Sequence, residues 1–217
     1  MFSAHDRAEG AELIADTLQH LNVPASFFFT GDFYRNKAFG KLIRRLLKDG
    51  HYLGAHSDRH LLYNKWDEAR TLNVSKDSFK TDLRSNYDAM SEFGIKKEDA
   101  RYFLPPYEWY DEHIALWTYQ EGLTLVNFTG GTLTQADYTT PGMGDRYRSN
   151  AEIWRSVMEK EAEEGLSGNI LLIHPGTEAE RSEKFYHLLD ELIKELRNRG
   201  YRFVRIDEML NLPYNAL

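Results

Sequence analysis

The sequence predicts an α/β fold in which helices cover a parallel sheet. Three observations carry this. Short apolar runs alternate with helical patterns along nearly the whole chain of 217 residues. The clearest helical pattern is near the end, where Phe185, Leu188, Leu189, Leu192, Ile193 and Leu196 recur at helical spacing before Gly200. Punctuation falls where the alternation requires it: Gly50, Gly94 and Gly122 stand at expected helix ends, and Ser75 and either Ser149 or Asn150 at expected helix starts.

In chain order, strands are expected at residues 1–4, 25–30, 51–55, 102–104, 124–127, 169–173 and 201–206. Helices are expected near 9–22, 37–49, 75–93, 109–121, 150–164 and 181–199. Seven strands and six helices suit either a closed (β/α) barrel or a doubly wound open sheet. Two long connections interrupt the alternation, residues 56–74 and 128–149, and loops of that length commonly carry function. With no internal repeat and no linker composition, the chain reads as one domain, residues 1–217. It opens within a predicted strand, so the natural N-terminus is expected to be missing.

Composition excludes several classes. A net charge of −7, with no basic cluster beyond the helical run 41–45, argues against a nucleic-acid partner. No run approaches the ~18 apolar residues of a membrane span. The chain has no cysteine, which rules out disulfides, thiolate metal sites and a Cys nucleophile.

The polar residues fall at one end of the predicted sheet. Of eight histidines, His5, His56, His60 and His174 follow predicted strands at their C-terminal ends. In parallel α/β folds that end holds the active site. His56-Ser-Asp-Arg-His60 is the most telling run. As one helical turn it would put two imidazoles on one face, about 6 Å apart at Cβ, in reach of a common metal ion. Asp6 supplies a natural third ligand, or else it caps the helix that follows. His174 follows four aliphatic residues and is either a site residue or a buried, hydrogen-bonded core histidine. His20, His51, His113 and His187 lie elsewhere and read as surface or satisfied residues.

Several segments together resemble the polysaccharide deacetylase family, the NodB-homology domain. Val23-Pro-Ala-Ser-Phe-Phe-Phe-Thr-Gly31 is similar to its second strand, and Gly50-His-Tyr-Leu-Gly-Ala-His-Ser-Asp-Arg-His60 to its metal-binding segment. Phe103-Leu-Pro-Pro-Tyr107 resembles its Phe-Arg-Pro-Pro-Tyr turn, and Asp137-Tyr138 stands where an Asp-Trp pair is usual. Ile170-Leu-Leu-Ile-His174 resembles its last catalytic strand. The segments occur in the family's order over nearly the whole chain.

The resemblance implies a distorted seven-stranded (β/α) barrel, TIM-like, that hydrolyses N- or O-acetyl groups on a carbohydrate with a divalent metal, usually zinc. Asp6, His56 and His60 would hold the metal. His174 would be the general acid, Asp137 would orient it, and the Tyr107 N–H would help bind the oxyanion. An acetylated glycan would be the partner, and an extracytoplasmic location, periplasmic or secreted, would follow. Trp66, Trp109 and Tyr138 lie on the same loops and could stack on sugar rings.

The chain departs from the family at three places. Ser3-Ala4-His5-Asp6 stands for Thr-Phe-Asp-Asp, so His5 replaces the usual base. Leu104 replaces the Arg before Pro-Pro, and Tyr138 replaces Trp. His5 is then base, supporting residue, metal ligand or a residue with no direct role, with Glu9 one turn on as an alternative base. A neutral imidazole needs no cationic partner, so the loss of Asp and Arg together fits a changed base. Two other readings stay open: a catalytically weak carbohydrate-binding protein, and a metal-dependent amidohydrolase acting on a small non-sugar amide.

Overall fold

A computed structural model of the chain describes residues 1–211. Five strands form one parallel sheet in sequence order: β1 Phe2–Ala4, β2 Ser26–Phe29, β3 Tyr52–Ala55, β4 Tyr102–Phe103 and β5 Thr124–Leu125. β2 is the centre of the core. Phe27, Phe28 and Phe29 are all shut off from solvent, as a strand covered on both faces requires. Helices α1 Ala11–His20, α2 Gly31–Arg35, α3 Gly40–Lys48, α4 Lys76–Ser91, α5 Glu112–Gln120, α6 Asn150–Glu164, α7 Leu189–Asn198 and α8 Ile206–Met209 follow the strands. Ser75 and Ser149 cap α4 and α6, and Ser149 forms a capping box with Glu152. The last long helical pattern begins as a 3-10 turn, Phe185–Leu188, before α7.

Seven strands were expected and five form. Residues 169–173 lie along β1 but share a single parallel bridge with it, Phe2 to Ile173. The segment's other bonds to these neighbours are Ile173 N–H to Met1 O (3.1 Å), the Met1 amino group to Leu171 O (2.9 Å), Thr129 N–H to Ile170 O (2.9 Å) and Ile170 N–H to the Thr129 hydroxyl (3.0 Å), too few backbone pairs for a ladder. Residues 201–206 form no strand. A cavity of about 350 Å³ is lined both by this segment, through Val204, and by Met1, Ala25 and Ile173. The Ile206 N–H bonds to the Ser26 hydroxyl (2.8 Å) rather than to a backbone carbonyl. Strand pairing therefore leaves the sheet open. The expected single domain 1–217 also takes in residues 212–217, which lie outside the described residues.

The register sets up the functional end. Ala4 pairs with Phe29, Phe29 with Ala55, Ala55 with Phe103, and Phe103 with Leu125. The next residues, His5, Thr30, His56 and Leu104, therefore stand in one row along one edge. The cavity lies among the N-terminal ends of the strands, away from this row.

Close backbone approach joins the first and last loops of that edge. Gly10 N–H donates to Pro175 O (2.8 Å), and a Cβ on Gly176 would fall 2.3 Å from the Arg7 carbonyl carbon. Gly176→Ala should force residues 5–7 and 174–177 apart and cost about 1–3 kcal/mol. The urea unfolding midpoint measures this, and an unchanged midpoint would show that the two loops do not depend on each other.

Candidate active site

Residues 56–60 are not the helical turn the spacing suggested. They form a bend, with Ser57 (φ 71°) and His60 (φ 54°) in the left-handed region. Buried polar groups hold it. Asn86 of α4 accepts from His56 N–H (2.9 Å). Asp82 of α4 accepts from Asp58 N–H (3.1 Å) and from the Tyr63 hydroxyl (2.6 Å). Arg35 of α2 donates to Asp58 (2.7 Å). The bend still brings the two rings together: His56 Nε2 and His60 Nε2 are 3.2 Å apart.

The chemistry of this pair suits a metal. His56 Nδ1 lies 2.8 Å from the Leu104 carbonyl, which can only accept, so Nδ1 carries the proton and Nε2 presents its lone pair. Burial pushes the His56 pKa down to about 3, with the Leu104 bond only partly offsetting it. Burial, then the neighbouring His56, push His60 down to about 2. Both rings are neutral at pH 7. Two nitrogens bound tetrahedrally at ~2.0–2.1 Å would lie about 3.3 Å apart, close to the spacing seen. A two-imidazole half-site therefore fits a zinc-like ion.

The third expected ligand is not brought to the pair. The Asp6 side chain is 63% exposed and lies 3.9 Å from Arg7, which is itself held by Glu178 at 2.6 Å. Among the described residues, no group of three or more His, Cys, Asp or Glu side chains is arranged to hold a metal ion. His5 is the nearer neighbour: its ring stacks on His60 with centroids 5.1 Å apart. The Thr30 hydroxyl donates to His5 O (2.8 Å), so towards His5 Nδ1, 3.4 Å away, its oxygen can only accept. That leaves His5 Nε2 as the ring's open acceptor. Glu9 is committed elsewhere, bonding Thr177 N–H (2.7 Å) and Lys184 (3.2 Å).

His174 and Asp137 form a second unit. Asp137 is buried; one oxygen accepts from His174 Nδ1 (2.5 Å) and the other from His174 N–H (2.8 Å). Burial works against charging this imidazole. The Asp137 charge and hydrogen bond, helped by Glu108, outweigh it and raise the His174 pKa. Its Nε2–H is then the donor that remains.

Tyr107 and Glu108 are both left-handed, at φ 60° and 53°. The Tyr107 N–H has no acceptor among the described residues. Sequence reasoning missed Glu108. Burial pushes its carboxyl pKa up to about 7, with His174 pulling it down and Asp137 pushing it up. The only signal in the sequence was an acidic residue directly after Pro-Pro-Tyr. Thr30, Asp82 and Asn86 were also missed, because they act through neighbours that only packing supplies.

Aromatic rings line one side. Tyr107 packs on His60 (centroids 4.3 Å), Trp66 on Tyr107 (5.4 Å), and Trp109 on Trp66 (5.4 Å). Arg70 caps this row, with its guanidinium 4.0 Å from the Trp109 ring. Tyr138 stands apart from the row, edge-on to His174 (5.5 Å). Trp66 is 62% exposed, which leaves its face free for a ligand.

The polysaccharide deacetylase family model matches residues 5–126. The chain belongs to this family. It is 24% identical over 201 residues to a peptidoglycan-N-acetylglucosamine deacetylase of Bacillus cereus, covering 93% of this chain and 82% of that protein. It is 24% identical to the peptidoglycan-N-acetylmuramic acid deacetylase PdaA of Bacillus subtilis, covering 91% of this chain and 65% of that one. An uncharacterized 30.6 kDa protein of Geobacillus stearothermophilus is 25% identical, over 91% of this chain and 64% of its own. The chain thus spans just under two thirds of the length of two of these three relatives. The fold matches the PdaA structure at TM-score 0.71 and 23% identity, covering 96% of this chain and 78% of that one. It also matches a family 4 pseudoenzyme of Bacillus anthracis at 0.71 and 19%, covering 97% and 64%. These structures share the fold of this polysaccharide deacetylase family member.

If Glu108 helps keep His174 protonated, Glu108→Gln should lower the His174 pKa. The His174 imidazole should then titrate at lower pH. An NMR titration of the ring between about pH 5 and 10 reads this, and an unmoved midpoint would remove Glu108 from the proton balance.

Proposed function

We propose that this chain is a metal-dependent hydrolase that removes acetyl groups from a carbohydrate, with the glycan strands of peptidoglycan as the first candidate substrate. The observation that carries the reading is the meeting, at one sheet edge, of two neutral imidazoles 3.2 Å apart and a His174–Asp137 pair whose carboxylate is buried. The family and the printed activities of the relatives from Bacillus cereus and Bacillus subtilis support the substrate class. A peptidoglycan substrate would place the protein outside the cytoplasm. Among the described residues no helix is long and apolar enough to cross a membrane.

His56 and His60 would hold the ion, most readily zinc, with Asp6 as third ligand if its carboxylate turns inward. Such an ion, when bound, polarises the acetyl carbonyl and acidifies water. His5 takes the proton from the attacking water at Nε2, the nitrogen that faces away from Thr30. The Tyr107 N–H donates to the oxyanion that develops as the acetyl carbon becomes tetrahedral. His174 then gives its Nε2 proton to the departing amine or alcohol, and Asp137 stabilises the imidazolium until it does. Trp66, Trp109 and Tyr107 offer ring faces to the sugar, and Tyr138 borders it beside His174.

The outward Asp6 carboxylate, with His5 and Leu104 in place of Asp and Arg, supports a second reading: a catalytically weak carbohydrate-binding protein. Zinc-loaded protein assayed for acetate release on chitooligosaccharide, acetylxylan and peptidoglycan separates the two. Release supports the hydrolase, tight glycan binding without release supports the binder, and release only from small amides supports a non-sugar amidohydrolase. In the hydrolase, His174→Ala should keep its metal content and lose on the order of a hundredfold or more in turnover. Metal analysis beside the acetate assay tests this, and unchanged turnover would take His174 out of the mechanism.

A further inference from the structure

Arg181 is the largest side chain fully shut off from solvent. A guanidinium stays charged, so a full positive charge is buried here, and such a charge is costly unless it is well hydrogen-bonded. Nη1 donates to Thr139 O (2.6 Å) and Arg148 O (2.9 Å), and Nη2 to Asn150 Oδ1 (3.0 Å). The guanidinium carbon lies 5.6 Å from the Tyr147 ring centroid. Nε is buried without a partner among the described residues. No carboxylate of the described residues is within ion-pair distance, although Asp137, Tyr147 and Glu183 all face the charge.

The acceptors have a pattern. Thr139 is two residues past Asp137, and Arg148 and Asn150 close the same loop onto α6. Arg181 itself follows His174 by seven residues. A second bond runs the same way, from Asn150 N–H to Glu183 (2.9 Å). One buried cation therefore fastens the loop that carries Asp137 to the segment that carries His174. Fold stability alone would be met by an apolar side chain of similar volume at lower desolvation cost.

We propose that Arg181 is a positioning residue for the His174–Asp137 pair: it locks the two segments in register, so that the Asp137 carboxylate stays aimed at His174 Nδ1. The proposal rests on the reading of His174 as proton donor.

Three variants test it. Arg181→Met removes the charge and all three bonds at similar volume, Arg181→Lys keeps the charge without the fork, and Asn150→Ala removes one acceptor. The primary readout is the low-field proton resonance of the His174 Nδ1–H, observed in metal-loaded protein by NMR and independent of turnover. Arg181→Met should shift this resonance upfield or broaden it. It should also lower kcat on the order of tenfold to a hundredfold, as loss of an outer support for a catalytic group does, with KM nearly unchanged. Arg181→Lys should recover part of both effects. If Arg181→Met does not fold, Asn150→Ala should show the same shift at smaller size. A folded Arg181→Met, or failing that Asn150→Ala, with resonance and kcat unchanged would overturn the proposal and leave Arg181 as packing alone. Wild-type protein that releases no acetate would instead count against the hydrolase reading, and the resonance would still report on Arg181.

Discussion

The site depends on strand register. Ala4, Phe29, Ala55 and Phe103 are locked side by side by parallel pairing, with neighbouring strands about 4.8 Å apart. Every polar group one residue further on inherits that alignment. It brings the Leu104 carbonyl to His56 Nδ1 and the Thr30 hydroxyl to His5. A slip of β3 by one residue would turn His56 to the opposite face and remove its contact with Leu104. Phe27, Phe28 and Phe29 of β2 are buried on both faces, so a slip of β2 would set each ring into a site packed for another.

Beyond the register, the loops are held in conformations that ordinary residues resist. Ser57, His60, Tyr107 and Glu108 all have positive φ, and none is glycine. Such conformations cost of order 1 kcal/mol each and persist only where surroundings enforce them. Here the enforcement is polar. Asp82 and Asn86 anchor residues 56–59, while Asn127 Nδ2 donates to the Glu108 carbonyl at 3.0 Å. Among the described residues, four of the six non-glycine residues with positive φ stand in these two turns, Asn22 and Arg70 being the others.

The same side chain is put to opposite uses by its environment. His56 is buried and His60 half-buried, with no carboxylate beside them, so they stay neutral and keep their lone pairs for a ligand. His174 is also sheltered, but Asp137 at 2.5 Å reverses the outcome and favours its protonated form. Separating two groups of one chemical type by their surroundings is how one pocket can hold both a cation and an acid. Glu108, pushed up to about 7 by burial, links the His174 unit to the strained turn after Pro105-Pro106.

Much of this was legible in the chain. Periodicity and punctuation located the five strands that form and most of the helices, because apolar spacing and caps are local signals. The order of motifs identified the family, and it marked His56, His60, His174, Asp137 and Tyr107. Local signals could not show whether residues 169–173 and 201–206 would gain partners, since pairing depends on distant segments. Nor could they show that residues 56–60 bend instead of coiling, because that depends on Asp82 and Asn86, more than twenty residues away. The placement of Asp6 outside the pair, of His5 beside it and of Glu108 near His174 was likewise decided in three dimensions. Residue type and order determined which chemistry the chain could hold. The tertiary structure decided which side chains meet and which of them carry charge, because burial and neighbouring dipoles exist only once the chain has folded.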